Sequence, residues 1–227
     1  YTFREKLAKD AILVVGPSAA FLRYIDQVLP SLGETDIVLL TPGQLYPGVN
    51  ATIDDTFEVS GVKGGARMAQ VLTNAVSHWS NIPDTPVSIT TEGGTKLRIS
   101  RSQLRDCVKS LSTRSTYHSN REVFLKRVLD YLANNLASDQ GHEQLDHEAR
   151  SDLIIDFIDD QNVRRVLNLM WMPTTPQKVL TKLFANPNFL QQVSCDLLTS
   201  HEQALLFREK ESPWTVEDVA LLDECAE

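Results

Sequence analysis

The sequence has no long hydrophobic run. Its longest apolar stretches, such as Ala11-Ile12-Leu13-Val14-Val15, hold five residues, against the roughly 20 that a membrane-crossing helix needs. Cysteine is scarce. Cys107, Cys195 and Cys225 are odd in number and widely spaced, which argues against a disulfide framework or a zinc site and makes a reducing cytoplasm the default. In that compartment the sequon-like Asn50-Ala51-Thr52 is a chance match. Positive charge is in deficit, with a net charge of −8, which excludes a domain whose whole surface grips nucleic acid. No GxxxxGK[ST], GxSxG, CxxC or HExxH pattern occurs, so no assembled catalytic or metal site is expected within the chain.

What is present is a globular composition. The 227 residues are 42% apolar, enough for one sizeable core or two small ones. The chain opens on Tyr1 with no signal-peptide pattern and closes on Cys225-Ala226-Glu227 inside a helical pattern. It is therefore expected to be a piece of a longer protein.

The first elements predict strand, helix, strand. The run 11–15 leads through Gly16-Pro17-Ser18 into a helix carrying Phe21, Ile25, Val28 and Leu29, stopped by Pro30 and Gly33. A second apolar run follows in Asp36-Ile37-Val38-Leu39-Leu40-Thr41. Strands this apolar are expected in a parallel sheet, buried on both faces. Pro42, Gly43, Pro47, Gly48 and Asn50 suggest a loop-rich linker. Phe57-Glu58-Val59 suggests a short strand, and Met68, Val71, Leu72, Ala75, Val76 and Trp79 a helix over 64–79. Alternation around Glu92-Gly93-Gly94 predicts a β-hairpin of 87–91 with 95–99. The rest is helical: a capping box at Ser100-x-x-Gln103, a broad apolar face over 120–136, a helix over 147–158 and another capped by Asp159 or Asp160. Thr175-Pro176 and Asn186-Pro187 start two short helices, and Thr199-x-x-Glu202 and Thr215-x-x-Asp218 cap two more.

Charge is segregated. Residues 98–128 are net +6, with Arg101, Arg105, Lys109, Arg114, Arg121 and Arg127 as candidates for phosphate or acidic-partner contact. Residues 139–160 are net −7, through Asp139, Glu143, Asp146, Glu148, Asp152, Asp156, Asp159 and Asp160. Either window also serves as a plain solvated face. The sharper reading of the second is an acidic arm that enters a basic channel normally filled by nucleic acid. His142 and His147 stand five apart, about 140° from a shared helical face, so they do not make a helical metal pair. Leu222-Asp223-Glu224-Cys225 follows a capped helix start and is expected to be a solvated helix end.

Three stretches together resemble a known family: Ile12 to Ser18 with Phe21-Leu22-Arg23-Tyr24-Ile25 and Val28 to Glu34; Arg164 to Pro173; and Pro213 to Val219 with Leu221 to Glu224. In this order and spacing they are similar to the HelD/HelR-like proteins, relatives of UvrD-type superfamily 1 helicases that bind bacterial RNA polymerase. The resemblance implies a mainly α fold with a small β part: a remnant of a RecA-like α/β motor domain (1–49), a helical insertion containing the β-hairpin (50–212), and a return helix toward the motor (213–227). Gly16, Pro17, Ser18, Phe21 and Arg23 would correspond to motif Ia, although the sequence here departs from the strand-contacting type of true helicases. The whole protein would be a cytoplasmic ATPase using ATP and magnesium, with Walker motifs flanking this chain. The chain itself would be non-catalytic and hold no cofactor. Its partner would be core RNA polymerase, whose clamp it would open and whose channel it would clear. Nucleic-acid contact would be weak and no membrane would be bound. Some relatives send a loop toward the polymerase active site, and some are associated with rifamycin resistance. The alternative is an accessory domain of a conventional DNA helicase that grips DNA.

Overall fold

The computed structural model describes residues 12–28, 37–112, 114–141 and 146–226. It is mainly helical, with two small two-stranded sheets. Among the described residues, no helix is long and apolar enough to cross a membrane. The chain divides into two compact units. One takes the residues up to Leu72 together with Pro176–Cys225, and the other takes Thr73–Thr175. Both divisions fall inside the 50–212 span read from sequence.

The first unit opens with β1 (Ile12–Val15), α1 (Ala19–Val28) and β2 (Ile37–Leu40). The strands pair in parallel, Ile12 opposite Ile37 and Val15 opposite Leu40. Pro30 and Gly33, the expected stop of α1, lie outside the described residues. The expected burial on both faces is not found: Leu13 is 52% and Val38 46% exposed. One helix can cover one face only, and α1 does so by burying Leu22. The segment read as a linker is a packed turn. A 3-10 turn at Pro42–Gln44 is held against Ala51, whose amide donates to the Gly43 carbonyl at 2.8 Å. A Cβ at Gly43 would lie 1.9 Å from the Ala51 carbonyl oxygen, so glycine is required by close approach.

The expected strand at Phe57-Glu58-Val59 is instead the start of α2 (Phe57–Lys63). Thr56 Oγ1 accepts from the Val59 amide, and the Thr56 carbonyl accepts from Ser60. This cap outweighs the β-propensity of Phe57 and Val59, which have no strand to pair with. Helix α3 (Arg67–Ser77) follows and contains the division between units. The unit resumes with α8 (Pro176–Ala185), α9 (Pro187–Ser194), α10 (Ser200–Leu206) and α11 (Val216–Glu224). Asn186 caps α9 through its bond from the Phe189 amide, and Thr199 and Glu202 form the expected box on α10. Helix α11 packs against α8, α2 and the 3-10 turn.

A buried charge cluster joins the two stretches of this unit. Lys63 Nζ donates to Asp55 at 2.5 Å, Thr215 Oγ1 at 3.0 Å and Asp218 at 2.8 Å. Lys63 is 5% exposed and Asp218 0%. The second Asp218 oxygen accepts from Arg208 and from the Thr215 amide. Arg208 lies over the rings of Phe184 and Trp214. Beside the cluster, the Val216 amide donates to the Ile53 carbonyl at 2.9 Å.

The second unit holds β3 (Val87–Thr90), β4 (Lys96–Ile99), α4 (Arg101–Lys109), α5 (Tyr117–Asp139), α6 (His147–Asp159) and α7 (Gln161–Met170). The hairpin forms in the expected register, Val87 opposite Ile99, and turns through Gly94 at a φ of +83°. Helix α5 is the spine: Phe124, Val128, Leu132 and Ala133 are fully buried, and α4, α6 and β4 pack against it. Asn135 fastens these layers by donating to the Arg98 carbonyl and exchanging hydrogen bonds with Gln103. The ends of the unit meet as well. The Met172 amide donates to the Trp79 carbonyl and the Asn81 amide to the Met170 carbonyl.

The Lys63–Asp218 pair sets two expectations. Burial alone would raise the Asp218 carboxyl, but hydrogen bonds from Lys63 and the Thr215 amide, with the charges of Lys63 and Arg208, hold it below its ordinary value of 3.8. A carboxylate lowered in the folded state stabilises above its unfolded value, and that contribution fades as pH falls through the lowered one. The urea midpoint should therefore drop on acidification below 3.8, and Asp218→Asn should flatten that part of the profile. Lys63→Met leaves two carboxylates in a dry site and should cost about 3–5 kcal/mol in urea unfolding, part of which Lys63→Met with Asp218→Leu should restore.

Candidate partner-binding surface

The acidic window occupies the end of α5 and all of α6. Asp146 is the N-cap of α6, accepting from the Ala149 amide at 2.7 Å. Asp160 caps α7 by accepting from Asn162 and Val163, and its other oxygen accepts from the Glu92 amide of the hairpin at 2.7 Å. Burial would raise the Asp160 carboxyl, but these three amides and Arg164 bring it below the ordinary range. Asp160 is therefore committed to the fold, fixing the α6–α7 corner onto the hairpin turn. Of the two sequence candidates for this cap, Asp160 is the one used.

The remaining acidic groups stand outward. Asp139, Glu148, Asp152, Asp156 and Asp159 are exposed, and none forms an ion pair among the described residues. Glu143 lies outside the described residues. Spacings of four and three set Asp152, Asp156 and Asp159 along one flank of α6, while Phe157 is buried and Leu153 and Ile154 are partly buried on the other. The two flanks therefore pack oppositely, while Ile155 and Ile158 remain exposed.

Much of the basic window is already satisfied within the molecule. Arg101 and Arg105 both pair with Asp84, Lys109 pairs with Asp106 at 3.1 Å, and Arg121 donates to the Trp171 carbonyl and Asn168. Arg114 and Arg127 are exposed. The candidates are thus split between a surface ion-pair cluster, a helix-end clasp and two outward cations. They do not make one continuous phosphate track.

The turn between β1 and α1 makes no phosphate cradle. Ser18 Oγ accepts from the Phe21 amide at 3.2 Å, and the Gly16 amide donates to Leu40. A Cβ on Gly16 would meet Leu22 at 2.5 Å, so the hollow above the turn is filled by that side chain. Pro17, Ser18, Phe21 and Arg23 are exposed. At the far end, Asp223 and Glu224 are exposed on helix α11 and belong to no strand. Among the described residues, these groups do not fit an ATP–magnesium site.

The three cysteines are free thiols, Cys107 and Cys225 buried and Cys195 exposed. Burial pushes Cys107 up to about 11 and Cys225 up to about 12, so neither is a thiolate nucleophile at neutral pH. The Lys63 cluster was not legible from sequence. Only Thr215 and Asp218 had a local signal, as the expected cap and third residue of one helix.

The distinction between outward and committed carboxylates is measurable. Asp160→Ala removes three hydrogen bonds at one corner and should lower the urea midpoint clearly. Asp146→Asn keeps a capping oxygen, and Asp152→Asn touches no partner, so each should shift stability by less than about 0.5 kcal/mol. No protein-family model matches this chain, and no curated protein matches it.

Proposed function

We propose that this chain is the polymerase-engaging part of a helicase-like ATPase of the HelD/HelR-like kind. It would act in the cytoplasm on the core of bacterial RNA polymerase, opening the clamp and clearing or recycling the enzyme. The observation that carries the reading is the outward acidic flank of α6. Glu148, Asp152, Asp156 and Asp159 are exposed and unpaired among the described residues, on a helix anchored by Phe157 and by the Asp160 corner. Polymerase channels are basic because they hold phosphates. A carboxylate-bearing arm in such a channel is steered into place and excludes nucleic acid.

The β1–α1–β2 unit supports the motor-domain part of the proposal. Parallel pairs belong to sheets covered on both faces, and here Leu13, Val15 and Val38 leave one face of the pair open. The helices of a RecA-like domain would supply the missing layer. The DNA-gripping alternative fits less well, because four of its six candidate cations are engaged within the chain.

Three measurements test this. In surface-plasmon titrations with core polymerase, Asp139→Asn/Glu148→Gln/Asp152→Asn/Asp156→Asn should bind about tenfold more slowly at low ionic strength, with the difference shrinking at physiological salt. An unchanged on-rate in a normally folded variant would reduce the acidic flank to a solubilising surface. Submicromolar affinity for duplex DNA at physiological salt would favour the gripping domain instead. The chain alone should not turn over ATP, and measurable hydrolysis by a clean preparation would overturn the division of labour proposed here.

A further inference from the structure

Helices α5, α6 and α7 do not close on one another completely. They enclose a half-open cavity of about 480 Å³, within the roughly 300–1,000 Å³ of pockets that take small ligands. Its walls are Leu125 and Leu129 of α5, Ile154 and Ile158 of α6 and Leu167 of α7. The gap follows from α6: Phe157 alone is driven fully into the core, and Ile158 is left 46% exposed at the cavity mouth. An aliphatic side chain so placed favours an apolar occupant over water on the cavity floor, where the aliphatic residues offer no polar partner.

The charged rim distinguishes this cavity from a plain apolar groove. Asp130 on the rim is neutralised by Arg150 at 2.8 Å, and Arg121 is turned to the Trp171 carbonyl and Asn168. Lys126 and Arg164 also line the cavity. They come from different helices, are exposed, and form no ion pair among the described residues. Glu122 is the single uncompensated acid of the lining. The rim therefore carries two cations outside any ion pair among the described residues against one such anion, above an aliphatic floor, with Arg164 also acting at longer range on Asp160.

We propose that this cavity binds a small amphipathic anion, an aromatic or aliphatic body with one carboxylate or sulfonate, the body lying on Leu125, Ile154 and Leu167 and the anionic group meeting Lys126 and Arg164. Such a ligand gains from burial of its body, and its charge selects it over neutral molecules of the same shape. The site is independent of polymerase binding. It lies on the α5–α7 side of α6 and uses none of the outward carboxylates.

The probe is anilinonaphthalene sulfonate, compared with its uncharged parent, N-phenylnaphthylamine, by fluorescence titration of the full chain. Native near-ultraviolet dichroism is monitored throughout, because the sulfonate also binds loosened cores. The folded chain should bind one sulfonate per molecule. Lys126→Gln/Arg164→Gln should weaken the sulfonate by about tenfold and leave the neutral dye within about twofold. Ile158→Trp has open space for the larger ring and should weaken both dyes. No sulfonate binding by the native chain would overturn the proposal. So would equal loss of both dyes in the charge variant, the result expected of an apolar groove awaiting a partner helix. Loss of neither dye would place the binding elsewhere and overturn it equally.

Discussion

The first unit depends on one lysine. Lys63 has its ammonium inside the protein, between Asp55 and Asp218, with Thr215 completing its three donors. A lone ammonium there would be costly, and so would either carboxylate. Each group makes the others tolerable. The cluster joins residues 155 apart in sequence, and the Ile53–Thr215 bridge and the stacking of Arg208 on Phe184 and Trp214 build outward from it. The apolar contacts of α11 with α8 could tolerate small shifts, whereas the charge cluster requires these groups in one arrangement.

The second unit is organised differently. Its spine, α5, is fully buried along one face, and its polar bonds lie at the edges of the core. Tyr117 and Arg121 donate to the Met172 and Trp171 carbonyls at one end, and Asn135 holds β4 and α4 further along the helix. Packing of Trp171 against Phe124 and Tyr117 joins these polar contacts to the apolar core. Its outer helix is less complete, and both the acidic flank and the open cavity lie there. A helix with one buried aromatic and several half-buried aliphatics presents more chemistry to its surroundings than a fully buried helix can.

Sequence made the periodic and locally capped parts legible. The hairpin register, the boxes at Ser100 and Thr199 and the cap at Asn186 are each written within a few residues. The segment 42–50 is loop-rich as expected, but Pro and Gly signal a turn without saying whether the turn is packed. Gly43 is close to the Ala51 backbone, a contact no local pattern encodes. Phe57-Glu58-Val59 was misread because two β-formers, Phe57 and Val59, were weighed without the cap at Thr56. For the acidic window, the solvated face expected of it is found at Asp152 and Asp156. The commitment of Asp160 to Glu92, 68 residues distant, was not legible. The cavity was illegible because it is a failure of three helices to meet, and each helix taken alone has an ordinary apolar face.

The ends of the second unit are bonded to each other, Trp79 to Met172 and Asn81 to Met170. This bears on the order in which the chain assembles. Synthesis delivers Lys63 long before Asp218, so the lysine must wait in water while the residues between are made. Those residues include the whole of the unit from Thr73 to Thr175. Because that unit closes on itself, it is able to fold before its neighbour is finished. The later meeting of Lys63 with Asp218 then spans a folded body with adjacent ends instead of a long coil. Most of the loop-closure entropy that would oppose so distant a contact has by then been met.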